Sequence, residues 1–134
     1  MKTVLITGAS KGIGAEIART LAKEGYNVAI NFNKSESAAV ALKNELEKYT
    51  SVMLVKADVS KYDEVASMVS AVRNKFGSIT HLVCNAGISV TGLLEDMDLC
   101  QCDSVIDTNL KGVIYTVKEV IPDMVKRKSG VIVS

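Results

Sequence analysis

A chain of 134 residues has room for one domain, and 48% hydrophobic against 23% charged residues is the balance of a protein that buries a core. Sixteen Lys and Arg against fifteen Asp and Glu leave a formal charge of +1, which gives no electrostatic footprint for nucleic acid or an anionic membrane surface. With one proline, no low-complexity tract and no apolar run near the roughly 20 residues of a membrane span, neither long disorder nor a transmembrane helix is expected.

In chain order, residues 3–7 (TVLIT) form a short β-rich run that stops at Gly8. From Ile13 the period becomes helical, with Ile13, Ile17 and Leu21 on one stripe and Gly25 as the stop. Residues 27–32 (NVAINF) read as the second strand. Ser35 is placed as the N-cap of a helix running through Lys48, with Ala38, Ala39, Leu42 and Leu46 inward. Residues 51–57 (SVMLVKA) are the third strand. Ser60 with Asp63 has the pattern of a capping box, opening a helix that carries Val65, Met68, Val69, Val72 and Phe76 and ends at Gly77.

Residues 81–84 are the fourth strand. The spacing of Leu110, Val113, Ile114, Val117, Val120, Ile121, Met124 and Val125 predicts a long helix, kinked at Pro122 and closed by Ser129-Gly130. Residues 131–134 begin a fifth strand. Strand and helix alternating with short links specify a parallel sheet with helices on both faces, an α/β doubly wound fold in three layers. A sequence that stops inside an apolar strand leaves a sheet edge uncovered and reads as truncated. The start, broken early by Gly8, is too short for a secretory signal. Three cysteines, Cys84, Cys100 and Cys102, cannot all pair, and the one histidine, His81, stands far from the latter two; reduced thiols, a cytoplasmic location and no metal site are expected.

Gly8-Ala9-Ser10-Lys11-Gly12-Ile13-Gly14 joins the first strand to the first helix. Glycine lets the backbone turn sharply and approach a pyrophosphate, and the helix that follows offers its free N–H groups. The spacing Gly-x-x-x-Gly-x-Gly differs from the commoner Gly-x-Gly-x-x-Gly; a purely structural tight turn is the plainer alternative.

On this loop and three further stretches the chain resembles the short-chain dehydrogenase/reductase family. Residues 7–14 match its cofactor signature in full. Asp58-Val59 fall where the family's Asp bonds the adenine amino group. Asn85-Ala86-Gly87 match the segment after the fourth strand, with Cys84 where the family has Asn. Thr108-Asn109-Leu110-Lys111-Gly112 match the segment that carries a catalytic Asn. Within the family the chain is most similar to bacterial 3-oxoacyl-[acyl-carrier-protein] reductases, through residues 28–32, Gly92-Leu93-Leu94 and residues 108–112; steroid, sugar and small-ketone reductases share most of these. Cys102 stands where the pattern has Trp, which puts packing near the start of the long helix in question.

The resemblance implies a Rossmann-like NADP-binding domain over residues 1–134. Its cofactor is held by Gly8, Ser10, Lys11, Gly12, Ile13, Gly14, Asn33, Lys34, Asp58, Val59, Asn85, Ala86 and Gly87. It implies hydride transfer from NADPH to a ketone, foremost a 3-oxoacyl thioester of fatty acid synthesis, so that the partner is a small-molecule or acyl-carrier-protein-linked substrate. It also implies a homotetramer or homodimer at full length. Asn85 would bind the cofactor ribose through its backbone, and Asn109 would hold a water in a proton relay. By position alone Asn109 is a cap or turn residue.

Charge separates the two nicotinamide cofactors. An NAD(H) site wants a carboxylate at the end of the second strand. Phe32 stands there, residues 28–35 contain no acid, and Lys11 and Lys34 attract a 2′-phosphate. The plainer reading leaves both lysines as solvated surface charges. NADP(H) is favoured over NAD(H).

Ketone reduction also needs a proton donor, in the family a Tyr followed by Lys four residues on, with a Ser polarising the carbonyl. Here Tyr26, Tyr49, Tyr62 and Tyr115 are followed at that spacing by Ile30, Met53, Ala66 and Glu119, and Ser134 lies short of the family's catalytic Ser. Two readings follow: the N-terminal part of an NADP-dependent reductase that turns over nothing by itself, or a catalytically inactive nucleotide-binding or interaction module.

Overall fold

Strands β1 (Thr3–Ile6), β2 (Asn27–Phe32), β3 (Val52–Lys56), β4 (His81–Val83) and β5 (Val131–Val133) form one sheet in the order β3-β2-β1-β4-β5, with every adjoining pair parallel. The computed structural model describes residues 1–134. Its helices are α1 (Gly12–Lys23), α2 (Glu36–Leu46), α3 (Tyr62–Phe76), α4 (Leu99–Ile106) and α5 (Gly112–Arg127), with a 3-10 turn at Leu94–Asp96 and a π turn at Asp107–Lys111. This is the three-layer, doubly wound α/β arrangement that the alternating periods specify.

Strand side chains alternate in direction, and the central part of the sheet is buried on both faces while β5 is exposed. Val4, Ile6, Val28 and Ile30 pack against Ala15, Ala18 and Ala22 of α1 and Ala39, Leu42 and Leu46 of α2. Leu5, Ala29 and Leu82 face the other way, onto Val65, Met68, Val69 and Val72 of α3 and Val120 and Met124 of α5. Each fully buried aliphatic side chain contributes about 1.5–3 kcal/mol, so the two clusters hold the strand ends in place for the loops that follow them.

Two helices turn differently from their sequence reading. The face of α1 toward the sheet is Gly14, Ala15, Ala18 and Ala22, whose small side chains let the helix lie close to the strands. Ile13 is 75% exposed, and Ile17 and Leu21 only flank the core. In α5 the inward residues are Gly112, Thr116, Val120 and Met124, while Leu110, Ile114, Ile121 and Val125 are exposed. In both helices the large apolar stripe lies to the side of the sheet contact.

The element ends also differ in detail. Ser35 occupies the N-cap of α2 without a side-chain bond, and α2 stops at Leu46. No capping box forms from Ser60 and Asp63: Lys61 is the N-cap of α3, and Ser60 donates its amide and hydroxyl to Asp58 Oδ1 at 3.0 and 2.7 Å. The carboxylate two residues back is the nearer acceptor and draws Ser60 into a local turn. The capping box that does form joins Asp98 and Gln101 at the start of α4. The helix predicted around Leu110 begins at Leu99 and passes through the π turn, whose extra residue shifts the apolar phase. It ends on Lys128, itself left-handed at φ 53°, rather than at Ser129-Gly130. No helix is long and apolar enough to cross a membrane.

Candidate functional site

The C-terminal ends of parallel strands share one edge of the sheet, and β1, flanked by β2 and β4, is where the connections change direction. Ligands bind such folds in the crevice at that switch point. A cleft of about 700 Å³ lies there, lined by the segments that leave β1, β2, β3 and β4. Of the predicted cofactor residues, Gly8, Ser10, Lys11, Asn33, Lys34, Asp58, Val59, Asn85, Ala86 and Gly87 line it. Gly12, Ile13 and Gly14 do not; they form the first turn of α1. His81 starts β4, at the opposite edge.

The glycines answer to geometry. Gly8 sits at φ +60°, and a Cβ there would lie 2.8 Å from Ala86 Cα, a backbone atom that cannot swing away. A Cβ on Gly14 would meet Asn85 Nδ2 at 2.6 Å and Ala9 Cα at 2.9 Å. Both positions draw the loop after β1 tightly against the loop after β4. No side chain caps the N-terminus of α1 and no acid stands in its first turn, so the first-turn amides and the positive end of the helix dipole are left to an anion. A tight glycine cradle leading into an uncapped helix fits the pyrophosphate of a dinucleotide.

Polar side chains fix the walls. Thr7 Oγ1 accepts from the amides of Asn85 and Ala86, each at 3.0 Å. Asn85 Nδ2 donates to the carbonyls of Thr7 and Gly8 at 3.1 and 2.9 Å, so this side chain serves the loop. On the other side Asn31, 1% exposed, accepts from the Gly8 amide at 3.0 Å. Asp58 is oriented by Ser60, and its amide donates to Glu64 Oε1 at 3.1 Å. Reading the sequence missed Asn31 as a site residue; the available signal was a carboxamide inside an otherwise apolar strand.

Charge in the cleft is divided. Lys11 and Lys34 are exposed and take no part in the ion pairs of the chain. Phe32 is buried beside them. Asp107, which also lines the cleft, is neutralised by Lys111 at 3.0 Å, and that contact holds the Lys111 ammonium above the ordinary lysine range.

Asn109 stands in the π turn between α4 and α5, just outside the cleft lining. Its Oδ1 accepts from the Ile88 amide and its Nδ2 donates to the Ile88 carbonyl, both at 2.8 Å. A wide turn breaks the α-helical ladder locally, and the side chain pins the segment after Gly87. Just past β4, burial pushes the Cys84 thiol up to about 11, whereas Cys100 is exposed. The thiolate is the reacting form. Iodoacetamide at pH 8 is therefore expected to label Cys100 well before Cys84, as read by peptide mass spectrometry; equal rates would mean that the end of β4 is open.

A family model described as short chain dehydrogenase matches residues 2–134. The chain is 46% identical, over 134 residues, to a 3-oxoacyl-[acyl-carrier-protein] reductase of Staphylococcus epidermidis, covering 99% of this chain and 55% of that protein. It is 39% identical to an NADPH-dependent pterin aldehyde reductase of Arabidopsis thaliana over the same shares. Among solved structures, an alcohol dehydrogenase from the archaeon Thermococcus sibiricus, complexed with 5-hydroxy-NADP, superposes with a TM-score of 0.92 at 34% identity, covering 98% of this chain and 56% of that one. The chain thus spans about half the length of the relatives it matches.

Proposed function

The chain belongs to the short-chain dehydrogenase family, and on that premise we propose that it serves an NADP(H)-dependent reductase of ketones, foremost of a 3-oxoacyl thioester. The observation that carries the cofactor reading is the cleft itself. It combines a left-handed glycine turn, an uncapped helix N-terminus, and two unpaired lysines, Lys11 in the loop after β1 and Lys34 just past β2, a strand whose end offers no acid. NAD(H) is the weaker ligand, because nothing at residues 28–35 accepts hydrogen bonds from a free ribose 2′-hydroxyl as a carboxylate would.

A nicotinamide dinucleotide supplies the hydride when bound. The residues of this chain bind and orient it. The amides of residues 10–14 would hold the pyrophosphate, Lys11 and Lys34 the 2′-phosphate, Asp58 the adenine amino group, and the backbone of Asn85, Ala86 and Gly87 the ribose. Asn109 is the relay residue in this reading: the π turn frees backbone carbonyls from helical bonding, where a water can be held. The thioester is preferred to another ketone because the staphylococcal reductases bear that name at 46% and 44% identity, above the pterin aldehyde reductase.

The 134 residues carry no Tyr-x-x-x-Lys, so by themselves they are expected to bind cofactor without turnover; a nucleotide-binding module without catalysis is the second reading. The exposed apolar side chains of α4 and α5, among them Leu99, Ile114 and Val125, are the face through which copies would pair into a dimer or tetramer. The test is a fluorescence titration with NADPH and NADH in parallel. NADPH is expected to bind more tightly by about tenfold or more, the scale of one charge-assisted contact. Equal affinity, or NADH ahead, would overturn the NADP(H) reading, and NADPH oxidation by the chain with a 3-oxoacyl thioester would overturn the inactivity.

A further inference from the structure

We propose that Asn31 is a positioning residue for the nucleotide cleft, one buried carboxamide that joins the glycine loop after β1 to the adenine side after β3. The inference rests on the cofactor reading above and deepens it. Packing gives no reason for the residue: its strand neighbours Val28, Ala29, Ile30 and Phe32 are apolar, and Asn31 is buried among them. A buried carboxamide is retained for the bonds it makes.

Those bonds run in two directions. Toward the loop, Oδ1 accepts from the Gly8 amide at 3.0 Å, and the Asn31 main-chain carbonyl accepts from the Ala9 amide at 2.8 Å. Two consecutive loop amides therefore end on one residue. Toward β3, Nδ2 donates to the carbonyls of Val55 and Ala57 at 3.2 and 3.1 Å, and Ala57 directly precedes Asp58. From the far side of β1, Asn85 donates to the Gly8 carbonyl at 2.9 Å. The left-handed Gly8 peptide is thus held at its N–H from β2 and at its carbonyl from the β4 end. A polar network whose groups are all paired rigidifies what it touches, and here it shapes the cleft without help from a ligand.

The experiment uses the 134-residue chain in two arms. In the first, amide hydrogen exchange on the ligand-free wild type is followed by NMR. Protected Gly8 and Ala9 amides are expected, and exchange as fast as an exposed loop would overturn the proposal without any variant. In the second, affinities for adenosine 2′,5′-bisphosphate and adenosine 2′-monophosphate are compared. The two probes differ in the 5′-phosphate destined for the glycine loop.

Asn31→Ala is expected to lose about tenfold in affinity for the bisphosphate, the scale of one hydrogen bond, and with it the preference for the 5′-phosphate. Asn31→Asp keeps the acceptor for Gly8 and loses the donors to Val55 and Ala57; it is expected to retain the preference while weakening both probes alike. A parallel loss for both probes in Asn31→Ala would mark a purely structural residue and overturn the proposal. Should Asn31→Ala fail to fold, the wild-type exchange and Asn31→Asp decide. If the wild type binds neither probe, the cofactor reading fails, and the exchange arm alone decides whether Asn31 positions the loop.

Discussion

Gly8→Val is expected to weaken NADPH binding by about a hundredfold and to lower the stability of the chain by about 3 kcal/mol, the strained-backbone end of single-substitution effects. Two costs combine. Gly8 holds φ +60°, where an L side chain, a β-branched one above all, costs about 1–2 kcal/mol. Its Cβ would also stand 2.8 Å from the Cα of Ala86, so the loop after β4 must retreat, and with it go the two bonds that the Asn85 and Ala86 amides donate to Thr7 Oγ1. If the binding-competent loop becomes dearer by that amount, affinity falls by about a hundredfold. Gly12→Ala is the control. Gly12 has the same φ, but nothing lies within 4 Å of its Cβ position, so in thermal stability it should lose only the backbone term. Thermal unfolding read beside an NADPH titration separates the two variants, and a Gly8→Val protein that binds like wild type would refute the close-approach argument.

Lys34→Glu should reverse the cofactor preference. Lys34 lines the cleft beside Asn33 and Ser35 just past β2, and it forms no ion pair within the chain. Reversal removes one charge-assisted contact to a 2′-phosphate and adds a repulsion, together about tenfold to a hundredfold against NADPH. The new carboxylate offers an acceptor to the free 2′-hydroxyl of NADH, so NADH should weaken little or gain. Because the position is exposed, the effect should shrink as salt is raised. Equal losses for both cofactors would mean that Lys34 supports the loop rather than reading the phosphate.

How much of this was legible depends on the range over which each feature is encoded. The glycine loop could be read because strand, turn and helix follow one another within residues 3–23. The strands could be read because each is a short apolar run between turn residues. Helix α4 could not, since the π turn at Asp107–Lys111 breaks the phase that periodicity relies on. Periodicity located an apolar stripe on α1 and α5 but not the sheet contact, which goes to Gly14, Ala15, Ala18 and Ala22 in one helix and Thr116 and Val120 in the other. Ser60 was misassigned because a serine before a helix competes between two local acceptors, and Asp58 lies closer. Asn31 was least legible of all. Its importance rests on Gly8 and Ala57, more than twenty residues away on either side, and only the sheet order brings them together.

The cleft as the seat of an adenosine bisphosphate is the claim on which the rest depends, and a crystal structure of the 134-residue chain with adenosine 2′,5′-bisphosphate tests it most directly. The account predicts the 5′-phosphate on the amides of residues 10–14, the adenine beside Asp58 and the 2′-phosphate between Lys11 and Lys34. Density for the nucleotide away from the switch point, or with the 2′-phosphate turned from both lysines, would contradict it.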